Sequence, residues 1–258
     1  MVTAVGNRVR ADEIDTYVGL MREAGVQWSR EEIFWDKVQR EPNGPFQWSG
    51  DGSGFYDYEH SIGAQYAAGI RILGLLDYNP AWFKGKNPPP EAWIKDWGDY
   101  VYQTVAHFGR GGAIKHWEIW NEPNLSVSGY ESGLYRIEDY ARVLSVARDA
   151  AKAADPEAVI VLGGMAAVWS YPPSPTTYDY FDYRDALGKL GAWSSFDVLA
   201  IQLPIGIASA GRGGWMSCRT PMRPSRLCRL FAAAARRWCA IGADARARCC
   251  THRKVHWQ

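Results

Sequence analysis

Short apolar runs alternate with stretches of helical spacing from Ala11 to Ile201, and this alternation leaves few folds open. Ala11 to Ala24 carries Ile14, Tyr17, Val18 and Met21 on one helical face and stops at Gly25. Val26 to Arg30 then reads as a short strand, and Glu31 to Gly54 as a long loop. Helical spacing returns over Tyr58 to Ala68, before the near-continuous apolar strand Ile70 to Leu76. A loop rich in Pro and Trp (Asp77 to Pro90), a helix (Trp93 to Phe108) and a strand (Ala113 to Trp120) follow. The remaining pattern is a helix at Ile137 to Ala154, a strand at Val159 to Leu162, a helix near Phe181 to Leu190 and a strand at Phe196 to Ile201. Apolar strands of this kind fit a parallel sheet covered on both faces. Their alternation with helices predicts an α/β fold, with no sequence repeat beneath the structural one.

The strand ending at Trp120 carries the chemistry. It is rich in aromatic and β-branched residues and closes on Asn121-Glu122-Pro123, where proline removes a ladder donor. A carboxylate therefore sits at the carboxyl end of a buried strand, where α/β barrels keep catalytic groups. The bland alternative is a strand-ending turn with a solvated Glu122. The wider phrase is Trp-Asn-Glu-Pro-Asn-Leu, followed by a helix, Ala-Asp-Pro and Leu-Gly-Gly. It resembles the fourth strand of clan A glycoside hydrolases. Within the clan it is most similar to the β-xylosidase and α-L-iduronidase (family 39-like) group or its bacterial polysaccharide-cleaving relatives.

That resemblance implies an incomplete (β/α)8 TIM barrel over about Ala11 to Ile201, with strands two to six recognisable. The first strand is missing or reduced to Val2-Thr3-Ala4-Val5. The implied reaction is hydrolysis of an O-glycosidic bond by retaining double displacement, without metal or organic cofactor. Glu122 would be the acid/base, and Asn121 would bond the sugar 2-hydroxyl. The nucleophile of such enzymes is a glutamate at the end of the seventh strand. Glu157 is the last glutamate in this chain, so the nucleophile is absent from it and turnover by the chain as written is expected to be low. A non-catalytic carbohydrate-binding barrel is the competing reading.

Other positions are read with their alternatives. Arg30 closes a strand where the clan places an arginine that braces the carboxylates; otherwise it is a surface arginine. Trp35, Trp82 and Trp120 lie at strand ends, where indole faces would stack on sugar, or else they fill the core. Trp28, Trp117 and Trp193 are assigned to the core. Glu118 shares a strand face with Glu122, but roughly 13 Å of rise separates the two, too far for a catalytic pair. Glu31, Glu32 and Asp77 are read as solvated or salt-bridged carboxylates before a partner for Glu122. His116 is expected to pack against a helix, and His107 to be structural at a helix end. Gly163-Gly164 lacks the lysine of a phosphate loop.

Composition breaks near Leu203. Before Ile205 there are 18 Lys and Arg against 27 Asp and Glu, a formal charge of −9; from Ile205 onward 11 against 1 gives +10. All five cysteines, Cys218, Cys228, Cys239, Cys249 and Cys250, lie in the second part. The division expected is therefore a partial barrel over 1–204 and a basic Cys/Arg-rich tail over 205–258, disordered or out of frame. A nucleic-acid arm and a zinc site (Cys239, Cys249, Cys250, His252, His256) are weaker readings, since paired Cys-x-x-Cys spacing is lacking. Out-of-frame translation of a GC-rich gene is favoured. The acidic first part suits a neutral carbohydrate and not a nucleic acid. No stretch resembles a signal peptide, and none is long and apolar enough to span a membrane.

Overall fold

Five strands lie side by side in chain order, every pair parallel: β1 (Trp28–Phe34), β2 (Arg71–Asp77), β3 (Ile114–Ile119), β4 (Val159–Ala166) and β5 (Val198–Gln202). The computed structural model describes residues 4–80, 82, 90–125, 136–166 and 180–202. All of them fall in the compact unit Met1–Ile205. Helices α1 (Val5–Arg8), α2 (Ile14–Glu23), α3 (Trp35–Val38), α4 (Tyr58–Ala67), α5 (Ile94–Phe108), α6 (Ile137–Ala154) and α7 (Tyr180–Lys189) complete the elements among the described residues, with short 3-10 turns between some of them. Consecutive parallel strands joined through helices make this an incomplete (β/α)8 barrel. The basic stretch 205–258 and its cysteines and histidines lie outside the described residues.

Several boundaries differ from the expectation, among them the end of β4, which runs four residues past Leu162 to Ala166. β1 continues through Glu31-Glu32-Ile33-Phe34, and α3 follows directly, where a loop was expected. Charged residues hide this strand from a hydrophobic pattern, because a barrel interior accepts polar side chains that pair with one another. Val5 opens the helical turn α1 and does not belong to a strand, although the Ala4 N–H still donates to Arg30 O along the edge of β1 (3.1 Å). Gly25 ends α2 at φ +72°, with Gly25 N bonded to Arg22 O and Val26 N to Met21 O. That left-handed cap turns the chain straight into β1.

The main core lies between the sheet and α5 and α6. Trp97, Tyr100, Val105 and Phe108 of α5, with Tyr140, Val143, Leu144 and Ala147 of α6, cover Ile72, Leu76, Trp117, Ile119, Ile160 and Leu162. A smaller cluster of Val5, Ile14, Val18, Met21 and Ile70 seals α1 and α2. Trp117 is enclosed as expected, but Trp28 and Trp193 are not core residues, being 37% and 50% exposed. Trp28 instead lies under the Arg71 guanidinium (4.6 Å) and meets His116 edge-on. His116 thus packs against a ring of β1, two strands away across the sheet, and not a helix.

One hydroxyl ties the core to the sheet. Tyr140, fully buried, donates to Ile119 O (2.9 Å) and accepts from Gly163 N (2.9 Å), linking α6 to the end of β3 and the middle of β4. Tyr140→Phe is expected to cost about 1–3 kcal/mol by stranding two buried backbone groups. The change should appear as a lower urea midpoint at unchanged slope.

Candidate active site

All five strands deliver their carboxyl ends to one mouth, and the side chains there follow from strand parity. Alternate residues of β1 face the interior, so Arg30, Glu32 and Phe34 share a side while Glu31 and Ile33 point the other way. The Arg30 guanidinium crosses the interior to β3. Its Nε donates to Glu118 Oε2 (2.6 Å) and its Nη2 to Glu118 Oε1 (3.0 Å), a bidentate pair in which the Glu118 side chain is 3% exposed. Gly164 N on β4 adds a third bond to Glu118 Oε1 (2.7 Å). A Cβ at Gly164 would stand 2.9 Å from that oxygen, so a side chain there would displace the carboxylate.

The same guanidinium orients Asn121. Its Oδ1 accepts from Arg30 Nη2 (3.0 Å) and from Gln202 Nε2 of β5 (2.9 Å). Two donors on one oxygen set the amide's orientation and leave Nδ2 as its donor end. Burial of the guanidinium works against its charge, but the bond and charge of Glu118 outweigh this and raise its pKa.

Beyond Asn121 the chain leaves β3 through two non-glycine residues in the left-handed region, Trp120 at φ 72° and Glu122 at φ 47°. Each costs roughly 1–2 kcal/mol, so neighbouring strands must hold them. Trp120 N bonds Leu76 O of β2 (2.8 Å), and Glu122 N bonds Gly164 O of β4 (3.1 Å). The buried Asn124 amide pairs with both backbone groups of Ala166, each at 2.9 Å. The result is a half-buried Glu122 on a strand end clamped from both sides. Burial pushes its carboxyl pKa up, and the Arg30 charge opposes that only in part.

Two further strand carboxyls, Glu31 on the outer face of β1 and Asp77, are enclosed. Glu31 is enclosed and accepts from Val5 N, Gly6 N and Gln65 Nε2. Asp77, at the end of β2, has no exposed surface, and among the described residues no N–H or hydroxyl donor reaches either oxygen. Its neighbour is the Glu32 carboxyl, and a bond between two carboxyls requires that one hold a proton. Burial, and then the Glu32 charge, hold the Asp77 pKa well above the usual carboxylate range, so Asp77 carries that proton.

The predicted tryptophans divide differently from the expectation. Trp35 and Trp120 have no exposed surface: Trp35 stacks on Tyr100 (5.2 Å, 8°), and Trp120 packs among Tyr78, Trp93 and Trp97. Neither presents a ring at the mouth. Trp82 is half-buried, edge-on to Trp35, with its Nε1 on Gln39 O (3.2 Å). Glu118, Gln202, Gly164 and Asn124 are the site residues that sequence reading missed. Only Glu118 left a signal, a carboxylate in the apolar second half of its strand, between Trp117 and Ile119. Among the described residues no group of His, Cys, Asp and Glu is placed to hold a metal ion, and no helix is long and apolar enough to cross a membrane.

No family model matches the chain, and no curated protein matches it in sequence. Solved structures do match its fold. A family 39 glycoside hydrolase from the gut symbiont Bacteroides cellulosilyticus WH2 aligns with a TM-score of 0.54 at 20% identity, over 74% of this chain and 35% of that one. A monomeric β-xylosidase from Caulobacter crescentus CB15 aligns at 0.52 and 18% identity, over 78% and 40%. A family 1 β-glucosidase from Thermotoga maritima aligns at 0.50 and 14% identity, over 75% and 54%. The chain therefore spans between about a third and a half of the length of these proteins, and what it shares with them at such identities is the barrel fold.

A neutral buried Asp77 makes stability depend on pH with a definite sign. Its folded pKa lies above the unfolded value of about 3.9, so its contribution is full below that value and is lost as pH rises toward the folded pKa. Asp77→Asn keeps the shape and a donor toward Glu32 without the ionisation. The variant is expected to gain stability over the parent progressively from pH 5 to pH 8, measured by urea unfolding at each pH. A constant difference would contradict the assignment.

Proposed function

We propose that the chain carries the acid/base side of a retaining O-glycosidase site, with Glu122 as proton donor, in a barrel most like the family 39 group. The observation that carries this reading is a half-buried carboxyl, its pKa raised by burial, on a clamped strand end beside an oriented amide. The barrel fold shared with glycoside hydrolases, including a family 39 member and a β-xylosidase, supports it.

In this reading the Glu122 proton passes to the glycosidic oxygen as its bond to the anomeric carbon breaks. A carboxylate on the opposite face forms the glycosyl-enzyme ester. Glu122, now ionised, then takes a proton from the water that attacks that ester. Asn121 Nδ2 donates to the sugar 2-hydroxyl, in the position set by Arg30 and Gln202. Glu118 is not the attacking carboxylate, because both of its oxygens are taken by Arg30 and Gly164. No glutamate follows Glu157, which makes the nucleophile a group this chain does not supply. That same observation favours a second reading, a carbohydrate-binding barrel without turnover.

Turnover of a panel of aryl glycosides and oligosaccharides, with azide or formate supplied in place of the missing nucleophile, separates the two. If Glu122 is the acid, Glu122→Gln should lower turnover about 10²–10⁴-fold on substrates with poor leaving groups, and much less on those with good ones. Because the acid must hold its proton, the parent's kcat/KM should fall as pH rises through the raised Glu122 pKa, and the variant should lack that limb. Turnover that survives Glu122→Gln on every substrate overturns the assignment. Saturable saccharide binding by the parent with no turnover at all supports the binding reading.

A further inference from the structure

The amino ends of the strands, opposite the Glu122 mouth, hold a cavity of about 240 Å³ at the feet of β1, β2 and β3. Ile70, Ile72 and Ala113 make its apolar wall, while Trp28, Arg71 and His116 bring rings and side-chain nitrogens. Each of these three stands at or near the start of its strand. Register brings them together: Trp28 lies opposite Arg71, and Leu73 opposite His116. The ladder slips between Ile72–Ile114 and Leu73–His116, so Lys115 is an extra residue in β3. Without that bulge Lys115 would stand opposite Leu73. With it the imidazole takes that place, and Lys115 pairs with Asp155 (2.8 Å).

The two cations here are unequally matched. Lys115 is neutralised by Asp155 and also lies 3.8 Å from Glu157. Arg71 lacks such a partner: among the described residues its guanidinium makes no hydrogen bond or ion pair, and lies only over the Trp28 ring (4.6 Å). That contact uses no oxygen acceptor, so the planar fork of N–H donors stays available. His116 meets the same indole edge-on (5.1 Å, 82°), and neither of its nitrogens is bonded among the described residues. Burial, and then the Arg71 charge, hold the imidazole pKa below its usual value, so His116 adds a neutral nitrogen and not a second charge. α4 ends at Ala67 and α5 at Phe108, each a few residues before a turn that closes the cavity. The partial negative charge of those helix ends favours one anionic charge beside Arg71 over two.

We infer that this cavity is a second binding site, for a small aromatic monocarboxylate whose carboxylate pairs with Arg71 while its ring lies against Ile72 and Ala113. The guanidinium fork matches a carboxylate with two parallel hydrogen bonds, and a His116 nitrogen stands beside it for a third. The edges of Trp28 and His116 suit an aromatic ring, and the volume admits one ring with a short arm. A sugar fits poorly, because the apolar wall would leave its hydroxyls unpaired. The site is independent of Glu122, which lies past the opposite end of β3.

Calorimetric titration of the full chain with phenylacetate, phenylacetamide and phenyl phosphate tests this. Phenylacetate is expected to bind about tenfold or more tighter than the neutral amide, the worth of a charge-assisted pair, and phenyl phosphate no tighter than phenylacetate. Arg71→Gln, at an exposed position, should abolish the preference for the acid, with melting curves confirming that the variant folds. Of the five histidines, the one whose ring signals move on saturation with phenylacetate should be His116, identified by their loss in His116→Gln. Glu122→Gln should leave the affinity for phenylacetate unchanged. Equal affinity for acid and amide, a preference that survives Arg71→Gln, unmoved His116 signals, or no saturation at roughly 10 mM overturns the site. Loss of binding in Glu122→Gln would place the ligand at the mouth and overturn it too, and tighter binding of phenyl phosphate overturns the choice of a monoanion.

Discussion

A single guanidinium inside a parallel barrel has to be satisfied from several strands at once, and the mouth is organised around that requirement. Arg30 leaves β1, pairs with Glu118 on β3 and holds Asn121, which Gln202 reaches from β5, while Gly164 of β4 closes the Glu118 shell. Such a pair adds little net stability, because desolvation offsets most of the attraction. Removing one partner, however, strands the other charge and typically costs 3–5 kcal/mol. The cluster therefore acts as a registry device: every strand it touches must sit at the observed height for the charge to be neutralised. The clamped exit of β3 depends on that registry, since Glu122 N reaches Gly164 O only while β4 is held against Glu118.

The carboxyls on these strands are sorted by environment. Glu118 is saturated with donors, Glu31 is consumed by α1 and Gln65, Asp77 keeps its proton beside Glu32, and Glu122 is lifted by partial burial with Arg30 as a counterweight. Glu32 is half-buried as well, but it accepts from Asn7 Nδ2 (3.4 Å) and meets Asp77, which leaves Glu122 as the half-buried carboxyl of this set without a structural assignment. The acid assignment in the proposed function rests on this difference among chemically similar groups.

Aromatic residues show how far a linear reading reaches. Strong apolar periodicity predicted α6 at its observed bounds, and α2, α4 and α5 within a residue or a 3-10 turn. The same reading ended β1 at Arg30, four residues early, because Glu31 and Glu32 look like loop. With the strand's true length, Phe34 takes the interior position, and Trp35 turns into the helix layer against Tyr100 and Trp97. One boundary thus moved Trp35 from the strand end, where a sugar-stacking ring was expected, into the helix layer. Trp120 was misplaced for another reason: its left-handed φ turns the indole away from the mouth, and strand alternation cannot anticipate that.

The sequence alone determined the strand–helix alternation, the parallel sheet it requires, and the Asn-Glu-Pro strand end with its carboxylate, because these follow from local periodicity and from proline's missing donor. Tertiary structure alone decided which carboxyl keeps a proton, which arginine contact orients Asn121, and which rings meet solvent. Those outcomes depend on groups tens of residues apart, such as Arg30 with Glu118 and Asp77 with Glu32. Their charge and exposure exist only once the strands are in register, since desolvation and pairing are properties of the assembled interior.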